Sequence, residues 1–270
     1  MRIAFCLSGQ PRTWRKCYNS WFLLIDEMKK RFGEDLEVDF FVHMWDFNSV
    51  PFSTQLSNGI FKENARINNH IFKIGKNEID DLLNELKPKK YLIEDYEKSI
   101  SRKKVLDEKA AYITKQYDKY CLISWSASQL YSLMMCGYLK REYEIENNFE
   151  YDICFRFRFD VNFDEFNRYI IINDYLPIED KTIYACHSNS LYGFPYDSIG
   201  DIFFYSDSVT FDQVTSFYKW LPIISIDIFT PDVRVECVFS YFIRMFNIKN
   251  IASKIDPEIK RISYENCNLL

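Results

Sequence analysis

Residues 151–161, Tyr-Asp-Ile-Cys-Phe-Arg-Phe-Arg-Phe-Asp-Val, alternate in a way that concentrates charge. Successive side chains on a β-strand point to opposite faces, so Ile153, Phe155, Phe157, Phe159 and Val161 would line a core face and Cys154, Arg156, Arg158 and Asp160 the other. Two guanidinium groups and a carboxylate on a stiff mount suit an anionic ligand, because the guanidinium fork matches phosphate and carboxylate geometry. The plainer alternative is an edge strand with a solvated face, on which Arg158 and Asp160 pair as i, i+2 neighbours. Two further polar groups end short apolar runs: Ser8-Gly9-Gln10-Pro11-Arg12 after residues 3–7, and His43-Met-Trp-Asp46 at the close of residues 39–46. In the first, a guanidinium beside the start of a helix attracts anions; Gln10 and Arg12 as helix caps, and Asp46 as a turn closer, are the alternatives. Asp201 and Glu236 stand just before apolar elements, where a base for a hydroxyl and a simple cap are both open. His43, His70 and His187 read as hydrogen-bonded structural histidines. Trp45 and Tyr192 are candidates to stack on a base or a sugar.

The elements around these groups are legible from period and punctuation. Residues 3–7 form a buried first strand. Trp14, Tyr18, Trp21, Ile25, Met28 and Phe32 recur at steps of three and four, with Gly33 where a helix C-terminus wants it. Residues 39–46 make a second strand, residues 47–76 a long, partly irregular excursion, and Ile79, Leu82, Leu83 and Leu86 a short helix stopped by Pro88. A third strand at 91–93 precedes a charged stretch, 94–109, read as a solvated loop. A long helix over 124–147 carries Leu130, Met134 and Tyr138 on one stripe and charged residues towards its end. Asp164 and Glu165 open a loop, residues 183–186 and 200–206 are strands, and residues 189–199 are turn-rich. Asp207 or Ser208 caps a helix, and Glu236 starts the last clear one. Strand, loop, helix, strand is the opening of a doubly wound parallel sheet, whose ligands bind beyond the carboxyl ends of the strands. With no repeat and no low-complexity linker, one domain over residues 1–270 is expected.

Composition narrows the chemistry. The chain has 270 residues, with 24 Phe and 19 Tyr against 7 Gly, and neither a Walker nor a dinucleotide glycine motif, so phosphate-loop and dinucleotide chemistry are not expected. A net charge of -5 argues against a nucleic-acid partner. The eight cysteines lie mostly in apolar runs with no paired spacing, which points to reduced core thiols and a cytoplasmic setting. The opening residues lack the apolar length of a signal peptide, and no apolar run is long enough to span a membrane.

Taken together, Ile-Ala-Phe-Cys-Leu-Ser-Gly-Gln-Pro-Arg-Thr-Trp at 3–14, Phe-Phe-Val-His-Met-Trp-Asp at 40–46, Leu-Lys-Arg-Glu-Tyr-Glu at 139–144, the run at 151–160 and Gly-Asp-Ile-Phe-Phe-Tyr-Ser at 200–206 resemble a family of glycosyltransferases of bacterial surface-polysaccharide loci and large DNA viruses. The resemblance is weakest over 47–125. It implies a GT-A-like fold, that is, a Rossmann-like α/β domain with a mixed, mostly parallel sheet flanked by helices. It also implies a nucleotide-sugar donor and the hydroxyl of a glycan or glycoconjugate as acceptor. Ser8, Gly9, Gln10 and Arg12 would cradle the diphosphate, Asp46 would lie near the nucleoside, and Arg156 and Arg158 would balance phosphate charge. Asp160 would face the sugar or a metal, and Asp201 or Glu236 would be the base. The chain departs from the usual Asp-x-Asp of such enzymes, since Arg158 stands where the first aspartate would be. Either a manganese or magnesium ion on Asp160 or the arginines themselves would then stabilise the leaving diphosphate. Two rival functions remain: a non-catalytic nucleotide- or carbohydrate-binding module on the same fold, and a metal-assisted phosphohydrolase or nucleotidyltransferase built on Asp160 and Asp164.

Overall fold

The structure is a computed structural model that describes residues 1–51, 69–95, 98, 120–173, 178–187, 199–221, 235–253, 255 and 257–260. The turn-rich segment at 189–198, Tyr192 within it, and most of the charged stretch at 94–109 lie outside the described residues.

Seven strands build one sheet. They are β1 (Arg2–Gly9), β2 (Glu37–Trp45), β5 (Lys90–Glu94), β6 (Ile153–Phe157), β8 (Thr182–His187), β9 (Ile199–Ser206) and β10 (Lys249–Ala252), in the order β10-β8-β9-β6-β1-β2-β5. All neighbours are parallel except that β9 runs antiparallel to both β6 and β8. The chain runs outward from β1 through β2 to β5, then returns to the other side of β1 as β6. That reversal makes the carboxyl edge beside β1 a switch point, where open α/β sheets bind ligands.

The strands are apolar on both faces, as layers above and below demand. Ile3, Phe5, Leu7, Phe155 and Phe157 pack with the stripe Trp14, Cys17, Trp21, Leu24 and Met28 of α1 (Trp14–Phe32). Ala4, Cys6, Phe41 and Cys154 turn the other way, to Leu130, Leu133 and Cys136 of the long helix α3 (Tyr120–Asn147) and to Phe239 and Phe242 of α6 (Val235–Met245). Gly33 ends α1 at φ 101°, its N–H bonded to the Lys29 carbonyl at 2.8 Å, a conformation that favours glycine. The helix α2 (Lys76–Leu86) lies where expected, and α5 (Ser208–Thr215) starts where expected but gives way to a 3-10 helix over Ser216–Trp220; Asp207 caps α5 by accepting from the Thr210 N–H at 2.8 Å. Cys6, Cys17, Cys136 and Cys154 are free and buried, and no helix among the described residues is long and apolar enough to cross a membrane.

Four expectations need correction. The run at 151–161 is not one strand: β6 stops at Phe157, a turn closed by the Val161 N–H on the Arg158 carbonyl at 3.1 Å carries Asp160, and β7 (Val161–Asn162) restarts beyond it. Nor does β6 have a solvated face. It lies between β1 and β9, so Cys154 and Arg156 are as buried as the phenylalanines opposite them. The excursion after residue 46 contains an antiparallel ribbon of β3 (Phe47–Pro51) and β4 (Asn69–Lys73). Asp164 opens a helix rather than a loop: its carboxylate accepts from the Asn167 N–H at 2.8 Å and starts α4 (Glu165–Asn173). At the charged end of α3, Lys140 and Glu144 are fully buried and joined at 3.0 Å, and Lys140 is tied to Asp212 of α5 at 2.8 Å. A last ribbon pairs β7 with β11 (Glu258–Ile259), which brings Lys260 over the turn, its N–H on the Asp160 carbonyl at 2.8 Å.

Candidate functional site at the switch point

The loop after β1 is shaped by two residues of positive φ, Gly9 at 120° and Arg12 at 40°. The second is unusual for a side-chain-bearing residue and costs on the order of 1 kcal/mol or more, so surrounding contacts must hold it. They do: the Arg12 N–H donates to Asn48 Oδ1 at 2.7 Å, its Nε to Gln10 Oε1 at 3.3 Å, and its Nη1 to Asp160 Oδ2 at 2.9 Å. Arg158 grips the same carboxylate with a fork, Nε to Oδ1 at 3.0 Å and Nη2 to Oδ2 at 2.6 Å. Gln10 and Arg12 therefore do not cap α1, whose N-cap Thr13 makes no side-chain cap bond and instead donates to the Lys260 carbonyl.

The Asp160 side chain is 0% exposed, whereas Arg12 keeps 29% and Arg158 13% of its side-chain surface. Burial alone would raise the Asp160 pKa. The Arg158 and Arg12 guanidinium groups overcome that and hold it at about 2, below its ordinary 3.8. The result is a buried anion under two cations whose outer surfaces face the carboxyl edge. Such an assembly can balance the charge of a phosphate without mobile side chains. It fits a metal poorly at Asp160 itself, because both carboxylate oxygens are already given to guanidinium groups and a cation there would meet two like charges. Among the described residues no cluster of three His, Cys, Asp or Glu side chains offers another metal site.

The expected site residues are only partly gathered. Ser8, Gly9, Gln10, Arg12, Arg158 and Asp160 share the β1–β6 end of the edge. Ser8 is 2% exposed, and its hydroxyl finds no partner among the described residues. Arg156 points to the α3 layer, where it lines a cavity of about 10 Å³ with Gln129, Leu130, Leu133, Phe204, Val235 and Phe239. Glu236 is half-buried in the first turn of α6, and Asp201 lies in β9 with its side chain outside the description. Asp46 is at the tip of β2, with Lys73 Nζ between it and Asp95 at 3.4 Å from each. Trp45 is buried, stacked on Tyr131 with ring centroids 5.6 Å apart, so it presents no open face to a ligand.

One carboxylate was missed. Glu94, the last residue of β5, accepts from His43 Nε2 at 2.8 Å and from Tyr131 Oη at 3.1 Å, and His43 Nδ1 meets Ser132 Oγ at 2.7 Å. His43 is structural in the sense expected, fully buried and bonded at both nitrogens. The signal for Glu94 was the rule already used for Asp46: an acid ending a short apolar run. The charged residues that follow it disguised the strand tip as the start of a loop. No protein-family model matches this chain, and no curated protein matches it.

Proposed function

We propose that this chain is a glycosyltransferase, moving a sugar from a nucleotide-sugar donor to an acceptor hydroxyl of a glycan or glycoconjugate. The observation that carries the reading is the Arg12–Asp160–Arg158 assembly at the switch point. A departing nucleoside diphosphate needs positive charge fixed in place before it leaves, and two guanidinium groups locked on a buried carboxylate provide it. Asp160 then orients the arginines and binds no ion itself, so that transfer is expected without manganese or magnesium. The seven-stranded, mostly parallel sheet agrees with the GT-A-like architecture that the sequence resemblance implies. Ser8 to Arg12 cradle the diphosphate, Asp46 stands on the nucleoside side, and Asp201 or Glu236 takes the proton of the acceptor hydroxyl. The phosphohydrolase alternative loses ground, since Asp164 is occupied in capping α4 and Asp160 in holding arginines.

A thermal-shift screen against UDP-, GDP-, CMP- and dTDP-sugars, with manganese and with EDTA, tests the reading, because a ligand of the native state raises the melting temperature by mass action. A shift by one donor that survives EDTA, with its nucleotide released when glycosides are supplied, is the expected result. No shift by any donor would count against it. Hydrolysis only in the presence of metal would return the phosphohydrolase.

A further inference from the structure

Thr13 stands at the N-cap of α1, where a threonine hydroxyl ordinarily accepts from an N–H of its own first turn. Here it makes no such bond and donates to the Lys260 carbonyl. The N–H of the same Lys260 donates to the Asp160 carbonyl at 2.8 Å. The two peptide groups of one residue therefore bridge the start of α1 and the Asp160 turn. The bridge closes a ring. Arg12 Nη1 reaches Asp160 Oδ2 at 2.9 Å, Asp160 is bonded through its carbonyl to Lys260, Lys260 through its carbonyl to Thr13, and Thr13 follows Arg12 in the chain. The strap that carries Lys260 is itself held: Ile255 and Pro257 are buried, Ile255 in the core layer of α1, and β11 pairs Glu258 with Asn162 and Ile259 with Val161. Trp21 Nε1 donates to the Val161 carbonyl at 2.8 Å, which ties the far side of the turn to α1 as well.

We infer that Thr13 and the main chain of Lys260 are positioning groups for the diphosphate: they set the spacing between the Arg12 loop and the Asp160 turn, and with it the separation of the two guanidinium groups. This rests on the nucleotide-sugar reading above. Thr13 is buried, so it bears on a ligand through Arg12 and not by contact. Arg12 needs such support, because its backbone sits at φ 40°, a conformation that persists in a side-chain-bearing residue only when its surroundings hold it. The ion pair with Asp160 is a weaker hold on that backbone, since a long side chain can follow a shifted main chain by changing rotamers. The hydroxyl of the next residue turns about one bond and has no such freedom. Fixed spacing matters because cations stabilise a departing diphosphate only where they are already placed when its charge develops.

The test is calorimetry on the full chain with uridine, guanosine and cytidine diphosphates, the matching nucleosides and inorganic pyrophosphate. Thr13→Val removes the donor and keeps the shape, and Thr13→Ser restores the donor. Lys260→Pro removes the N–H that Lys260→Ala keeps, so the second bond is tested independently of the first. Affinity for pyrophosphate and for the diphosphate that wild type binds should fall about three- to tenfold in Thr13→Val, the worth of one hydrogen bond, with nucleoside affinity unchanged. Thr13→Ser should recover most of that loss, and Lys260→Pro should fall below Lys260→Ala by a similar factor. A lowered melting temperature with affinities equal to wild type in Thr13→Val and Lys260→Pro would make the strap a structural brace and overturn the inference while diphosphate binding stands. Equal losses for nucleoside and diphosphate, or a Thr13→Ser variant as weak as Thr13→Val, would overturn it too. Absence of any diphosphate or pyrophosphate binding by wild type overturns both this inference and the reading it rests on.

Discussion

Asp160 and Glu94 stand at the carboxyl edge of one sheet, on either side of its first strand, and are held by opposite chemistry. Asp160 is fully buried and spends its charge on two guanidinium groups; Glu94 is partly exposed and is steadied by a neutral imidazole and a phenol. The first arrangement presents cations to the edge; in the second, an imidazole and a phenol hold the carboxylate in place. The contrast also shows that a carboxylate's residue type says little about its role until its donors are known. Donors that carry charge offset it, as the two guanidinium groups do at Asp160.

Breaking the cationic end should have the largest effect. Asp160→Asn leaves two guanidinium groups facing a neutral amide. The shift from 3.8 to about 2 corresponds to roughly 2 kcal/mol, and stranding the arginines adds to it, so a loss of about 3 kcal/mol is expected in urea unfolding. The sign with pH follows from a folded-state pKa below the unfolded one. The Asp160 contribution is whole above about pH 4 and is lost as pH falls from 3.8 towards 2, so the gap between wild type and variant should close over that window. A variant as stable as wild type at pH 7 would reduce the assembly to an ordinary surface pair.

Next in size is the ligand itself. Arg12→Ala removes the more exposed guanidinium and leaves the Arg158 fork on Asp160. Affinity for a nucleoside diphosphate should fall about ten- to a hundredfold, and affinity for the matching nucleoside should not change. Equal losses for the two ligands in calorimetry would place the diphosphate elsewhere.

The sequence made one end of this comparison readable and hid the other. Strand tips at Ser8–Arg12 and Asp46, the α1 stripe closed by Gly33, and the parallel opening all followed from local period and punctuation, which act over a few residues. The Arg158–Asp160 pair was visible as an i, i+2 spacing, yet its burial was not. Alternation assigns faces only while a strand continues, and here the strand ended at Phe157 with a turn that only its partners, Arg12 and Lys260, explain. Arg156 shows the same limit from the other side: it keeps the alternation, and so faces α3 and not the arginine assembly. The His43–Glu94–Tyr131 network joins residues 51 and 37 positions apart, a separation that no local pattern reports. The antiparallel direction of β9 is likewise a tertiary outcome, since an apolar strand reads alike in both directions.

The smallest effect, and the one that separates the two ends most cleanly, is the response to mild acid. His43 is neutral because it is buried, and its pKa in the folded protein lies below that of an exposed histidine, 6.5. Its protonation therefore favours unfolding: the stability it confers is complete above about pH 6.5 and declines as pH drops from there towards the folded-state value, at no more than about 1.4 kcal/mol per pH unit. A glutamine at this position offers an amide N–H towards Glu94 and has no proton to gain. Melting curves of wild type and His43→Gln between pH 7.5 and 5.5 should thus converge, with wild type losing more. The other histidines, His70 and His187, are common to both proteins and cancel in the difference. Over the same window the gap between wild type and Asp160→Asn should stay flat, because the Asp160 carboxyl titrates far below it. Parallel curves for wild type and His43→Gln would mean that burial does not lower the His43 pKa in the folded protein.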